Sequence, residues 1–230
     1  NYFQKDIYIR PTLLASTSSQ IKLFKQNLIS MHTSHNNNYL LIIFLKNKMQ
    51  KKEGLFIVFE GIDGAGTSTQ VHELAKHIEE LDKYQDTLKT HEPWKNSEIK
   101  RRLKEDKDAY SHPEELADLF ITDRAEHTRL LIKPNLKAGV IVTDDRYTMS
   151  TCDYQWCQGV QLEDLIGMHK GRGILIPDLT FYVAVNREVA QERLRKRKAI
   201  PEKFEKDPNF IDKLIKGYEA LTNMSKINPF

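Results

Sequence analysis

Apolar positions fall into two unlike regimes along this 230-residue chain. From Leu55 onward, short apolar runs at Leu55–Phe59, Val140–Thr143 and Leu179–Val185 alternate with helically spaced stretches at Thr69–Leu81 and Glu188–Lys198. That alternation predicts β-α units around a parallel sheet, an α/β fold. Between the first two runs, Pro113–Leu136 predicts one or two helices, with Leu116, Leu119, Phe120, Ala125, Leu130 and Leu131 near helical spacing. A last amphipathic helix is predicted over Asn209–Met224, with Phe210, Leu214, Ile215, Tyr218 and Leu221 on one face.

Residues 1–48 show no sustained period of 3.6 or 2.0 and are rich in Asn, Ser, Lys, Ile and Tyr. They are expected to be a disordered or non-native extension, with the domain over 49–230 beginning at Met49. The longest apolar run, Tyr39–Leu45, falls far short of the roughly 20 residues that span a bilayer. With no small-residue cleavage pattern after it, a soluble cytoplasmic protein without a membrane partner is expected. The formal net charge is +3, but residues 1–54 carry eight Lys/Arg against two acids, so the remainder is acidic. The basic charge lies in the tail and gives no reason to expect nucleic acid as a partner. Cys152 and Cys157, spaced C-x4-C without a second pair at zinc-site spacing, are expected as buried or free thiols.

The first run leads into Gly61-Ile-Asp63-Gly64-Ala65-Gly66-Thr67-Ser68-Thr69, a strand, glycine-rich turn and helix start in the order a phosphate loop requires. Glycines let backbone N–H groups converge on an anion, the helix N-terminus adds partial positive charge, and Ser68 can place its hydroxyl on Mg2+. The pattern G-x4-G-K-[ST] is matched except at the lysine, where Thr67 stands. A tight turn before a helix is the alternative reading of the same glycines.

The second run ends in Asp144-Asp145-Arg146-Tyr147, at the carboxyl end of a strand, where ligands bind in parallel α/β sheets. Asp145 can hold Mg2+ through water and Arg146 can fork onto a phosphate; a structural ion pair is the alternative. Arg193, Arg195 and Arg197 lead into a segment, about 193–206, whose arginines could close over ATP and offset the missing lysine.

Four stretches in order carry a family likeness: Phe-Glu-Gly-Ile-Asp-Gly-Ala-Gly at 59–66, His-Glu-Pro at 91–93, Leu-Phe-Ile-Thr-Asp-Arg at 119–124, and Asp-Arg-Tyr-Thr-Met-Ser-Thr-Cys-Asp-Tyr-Gln at 145–155. Over roughly residues 55–225 the chain resembles the thymidylate kinase family. The resemblance implies a three-layer α/β/α P-loop fold and transfer of the ATP γ-phosphoryl to dTMP with Mg2+, in a homodimer. It implies that Phe120 stacks on the thymine ring, Arg124 bonds its edge, and Arg146 holds the acceptor phosphate. It also implies that Asp63 sits near the sugar and Tyr154 crowds the ribose 2′ position, with Ser150, Thr151 and Gln155 lining the pocket. Glu205 would match an acid of the lid. Without the motif order, Phe120 and Tyr154 read as core aromatics and Arg124 as an ion-pair partner.

The chain departs from the family pattern at Thr67, at His91 in place of arginine, and at Lys203 in place of arginine. The phosphate loop lacks an arginine, and the resemblance is then to family members whose catalytic arginine comes from the lid, which implies Arg193 and Arg197, with Arg146 and Asp145 completing the expected catalytic set. The resemblance further implies a final strand and helix after Met224, so a C-terminally truncated sheet is expected. The rival readings are another nucleotide or deoxynucleoside kinase of this fold, or a nucleotide-binding protein with impaired catalysis.

Overall fold

The computed structural model describes residues 8–12, 54–106, 108–197, 203–204 and 207–225. Its sheet is built on Leu55–Glu60 (β2), buried along its whole length. This strand pairs in parallel with Ile141–Asp145 (β4) on one side and Leu179–Ala184 (β5) on the other. Thr87–His91 (β3) pairs in parallel with β4, and Tyr8–Thr12 (β1) lies antiparallel on β5, giving the order β1-β5-β2-β4-β3. The register places Phe59 and His91 both opposite Asp145, so three strands end side by side.

The helices are Thr67–Leu81 (α1), Ser97–Glu105 (α2), Pro113–His127 (α3), Lys133–Lys137 (α4), Thr148–Cys157 (α5), Leu162–His169 (α6), Arg187–Lys196 (α7) and Pro208–Ser225 (α8). The period of two along β2 divides its side chains between two apolar cores. Leu55, Ile57 and Phe59 join Val71 and Ile78 of α1 and Phe210, Leu214 and Tyr218 of α8. Phe56 and Val58 join Ile132, Val142 and Tyr147. Helices therefore cover both faces, and each fully buried β2 side chain contributes about 1.5–3 kcal/mol by leaving water. Among the described residues, no helix is long and apolar enough to cross a membrane.

Three expectations change. Residues 8–12 form a strand rather than an unstructured extension, and they occupy the sheet edge beside β5; the rest of 1–48 lies outside the described residues. The apolar face expected over Pro113–Leu136 is displaced: the buried stripe runs through Leu116, Ala117, Ile121, Asp123, Arg124 and His127, while Leu130 is exposed. A π-helical turn at Thr128–Ile132 then joins α3 to α4 and resets the facing direction beyond His127. The third concerns β3, α2, α5 and α6, which the apolar pattern left unassigned; β3 is an edge strand with no apolar run, and α2 buries only Ile99. Both cysteines are free thiols, with Cys152 pushed up to about 12 by burial and so unreactive.

Candidate functional site

The glycine-rich loop leaves the carboxyl end of β2 and turns into α1. Gly64 and Gly66 have φ of 82° and 99°, a left-handed backbone that glycine adopts without strain. A Cβ on Gly64 would also stand 2.6 Å from the carbonyl oxygen of Ala190, so α7 packs directly on the loop. Gly66 caps α1 without a side chain, and the first turn holds no acid, which leaves the helix N-terminus suited to an anion. Thr67 is buried where the lysine of the pattern would stand. A guanidinium nevertheless lies against the loop: Arg193 Nη1 of α7 donates to the carbonyls of Ala65 at 2.9 Å and Gly64 at 3.3 Å. Arg197, just beyond α7, is exposed, as are Ser68 and Thr69. The Ser68 hydroxyl donates to Asp145 Oδ2, and Asp145 Oδ1 has no hydrogen-bond partner among the described residues.

Across the loop stands Arg146, immediately after β4, with a φ of 71° that directs its side chain away from the strand line. Its Nη2 donates to Asp63 Oδ1 at 2.5 Å, and its Nη1 reaches Tyr154 Oη at 3.2 Å and Ser150 Oγ at 3.4 Å. Tyr154 in turn donates to Asp63 Oδ2 at 3.1 Å. Asp63 of the loop is thus tied to both. These residues form one side of a cavity of about 180 Å³. Thr151, Gln155, Arg124 and Phe120 also line it, so every residue expected in the acceptor pocket is brought together. Sequence reasoning missed four of its walls, Glu92, Pro93, Leu103 and Phe204. Glu92 stood within the His-Glu-Pro stretch, whereas nothing local marked Leu103 or Phe204 as neighbours.

Arg124 is fully buried and paired on every side. Its Nε and Nη2 meet Glu92 Oε2 at 2.7 and 2.6 Å, Nη2 donates to Tyr147 O at 2.9 Å and Thr151 Oγ1 at 3.0 Å, and Nη1 lies 2.9 Å from His169 Nε2. Burial, reinforced by the adjacent guanidinium, pushes His169 down to about 3, so its imidazole is neutral. With Nδ1 donating to Leu165 O at 2.7 Å, Nε2 is the lone pair that accepts from Arg124. Glu60, at the end of β2, accepts from Tyr147 N, Ser150 N and the Ser150 hydroxyl, anchoring the start of α5 beneath the cavity. Burial pushes its carboxyl up. Asp123 accepts from the backbone N–H groups of Trp94, Lys95 and Asn96, which fixes the turn that carries Glu92. Lys203, expected as a weakened phosphate-facing cation, is instead fully buried, donating to Asp106 at 2.6 Å and Ser111 O at 2.8 Å. His91 is exposed at the strand end, and Glu205 lies outside the described residues.

Residues 59–228 match the profile of the family described as Thymidylate kinase. The chain is 39% identical over 180 residues to a probable thymidylate kinase of Thermococcus kodakarensis, covering 74% of this chain and 85% of that one. It is 35% identical over 148 residues to a thymidylate kinase of Desulfotalea psychrophila, covering 64% and 71%. The crystal structure of thymidylate kinase from Ehrlichia chaffeensis superposes with a TM-score of 0.57 at 26% identity, covering 75% of this chain and 88% of that one. Fold and likeness together make the chain a kinase built on a parallel α/β sheet. It belongs to the thymidylate kinase family.

Proposed function

We propose that the chain transfers the γ-phosphoryl of ATP to dTMP, giving ADP and dTDP. The observation that carries this reading is the Arg146–Asp63 contact, which joins the glycine-rich loop to the cavity and so supports two phosphate sites side by side. In-line transfer between two anionic nucleotides asks the protein mainly for position and positive charge. The loop amides and the N-terminus of α1 hold the ATP phosphates. Arg193, already at the loop carbonyls, supplies the charge that Thr67 lacks, and Arg197 approaches from the end of the same helix. Arg146 exchanges Asp63 for the acceptor phosphate.

The donor set at Ser68 and Asp145 fits Mg2+: two oxygen ligands adjoin, and one carboxylate oxygen is without a hydrogen-bond partner among the described residues. Bound there with ATP, Mg2+ offsets charge on the phosphates. In the cavity, Phe120 offers an aromatic face to the thymine ring and Arg124 a donor edge, aimed by Glu92 and neutral His169. Tyr154, held by Arg146 and Asp63, excludes a 2′-hydroxyl, while Ser150, Thr151 and Gln155 complete the wall.

Coupled ADP release by the full chain with ATP and Mg2+, offered dTMP, dUMP, UMP, CMP and thymidine separately, tests the reading. Turnover selective for dTMP is expected. Turnover with thymidine but not with dTMP, or with UMP and CMP in preference, overturns it.

A further inference from the structure

Behind the cavity lies a cluster of which the proposed phosphoryl transfer uses only Glu92. Glu92 follows β3, His127 ends α3 and Asp144 is the penultimate residue of β4, so three separate elements converge in the interior. Their side chains are 3%, 0% and 0% exposed. His127 Nδ1 stands 3.3 Å from Glu92 Oε1 and 3.9 Å from Asp144 Oδ2, and the three ligand atoms lie within 4.8 Å of one another.

Each member is oriented toward the common point by something else. Arg124 occupies the other Glu92 oxygen, Oε2, leaving Oε1 toward His127. The His127 ring is clamped by Trp94, stacked at 5.0 Å, and its Nε2 lies 2.8 Å from Thr90 Oγ1. With Nε2–H donating to that hydroxyl, Nδ1 is the lone pair left for a ligand, the outer-shell arrangement of metal-bound histidines. Asp144 is the independent sign: it is fully buried, and neither carboxylate oxygen has a hydrogen-bond partner among the described residues. Arg124 is paired with Glu92, and Asp144 has only the His127 ring at 3.9 Å and the more distant field of Arg124, in a place where an isolated carboxylate costs several kcal/mol. Donors about 2.0–2.2 Å from one cation sit within roughly 4 Å of each other, near the spacings found here.

We propose that Glu92 Oε1, His127 Nδ1 and the Asp144 carboxylate bind one divalent transition-metal ion, of the Mn2+ or Zn2+ class, in a site separate from the Mg2+–ATP position. One imidazole with two carboxylates suits such a cation better than Mg2+, which prefers oxygen ligands and retained water. Glu92 also lines the cavity, which gives the ion a route in. The ion would brace Glu92, and through it Arg124, without touching the reacting phosphates.

The test uses the full chain stripped with a chelator, dialysed against Mn2+ without nucleotide, then washed and analysed for bound metal. A single Mn2+ per chain is expected in the wild type and in Ser68→Ala, with loss in Asp144→Asn. Thr90→Val is expected to weaken binding by about 10- to 100-fold, the usual effect of removing an outer-shell partner. Pulsed electron paramagnetic resonance of the loaded wild type should show coupling to one imidazole nitrogen, a readout that stands even where Asp144→Asn does not fold. A wild type that retains no Mn2+, retention unchanged in folded Asp144→Asn, or bound Mn2+ without imidazole coupling each overturns the proposal. Because no nucleotide is present, either result is independent of the acceptor the kinase uses.

Discussion

The two halves of the proposed site would hold phosphate by opposite means. The loop at Gly61–Gly66 relies on backbone: two left-handed glycines, a helix N-terminus and a borrowed guanidinium from α7. The cavity relies on side chains that hold one another: buried Arg124 bonds Glu92, and Tyr147 and Ser150 link Arg124 and half-buried Arg146 to buried Glu60. The backbone device is local, and in the proposed reading Arg193 stands in for the missing lysine. The side-chain device is a network, in which deleting one member strands another in a medium that cannot solvate it.

This contrast predicts that changes in the cavity act on stability and changes at the loop act on rate. The largest effect is expected for Arg124→Met, which strips buried Glu92 of its guanidinium and leaves it only the His127 ring: a loss of about 3–5 kcal/mol by urea unfolding, much of it restored by adding Glu92→Gln. An unchanged midpoint would mean that water reaches the pair. Next, Arg193→Met should lower kcat by about 10²–10³-fold, the usual loss of one charge-stabilising donor, with little change in unfolding. Adding Thr67→Lys to that variant should recover most of the rate, and failure to do so would remove Arg193 from its assigned role. Gly64→Ala crosses the boundary between the two halves, since its Cβ meets the Ala190 carbonyl; overpacking of about 1–3 kcal/mol is expected, with weakened ATP binding by calorimetry.

The smallest effect concerns pH. His169 stays neutral in the folded chain down to about pH 3, whereas an unfolded histidine takes up a proton near about pH 6.5. Falling pH therefore favours the unfolded chain through this group, and the stability it confers is present above that range and lost as pH drops from 6.5 toward 3. His169→Gln should flatten the decline by up to about 1.4 kcal/mol per pH unit, read from unfolding midpoints between pH 4 and 6.

Legibility in the sequence followed the same division. The loop was readable because its chemistry is consecutive: seven adjacent residues state the turn, the helix start and the missing lysine. The strands β2, β4 and β5 were readable because each holds or adjoins a short apolar run, while β3 and α2 carry too few apolar side chains to announce themselves. In the cavity, Phe120, Arg124, Arg146 and Tyr154 came from the order of motifs and not from their local pattern. Leu103 and Phe204 were invisible, because only the tertiary fold brings positions a hundred residues apart to one wall. The α3 stripe misled for a related reason: its buried side points at polar strand ends, so hydrophobic spacing marked the wrong residues. His127 and Asp144 belong to the same class, ordinary in sequence and unusual only once buried together.

Arg146 leaves one mark that any variant library would register before a substrate was ever supplied. A non-glycine residue in the left-handed region sacrifices about 1–2 kcal/mol of backbone comfort. Glycine would rest there easily, yet would carry no guanidinium. Selection for folding alone should therefore drift toward glycine at this position, and selection for turnover should hold arginine. The disagreement between those two screens would locate the acceptor phosphate from heritable preference, with no ligand in view.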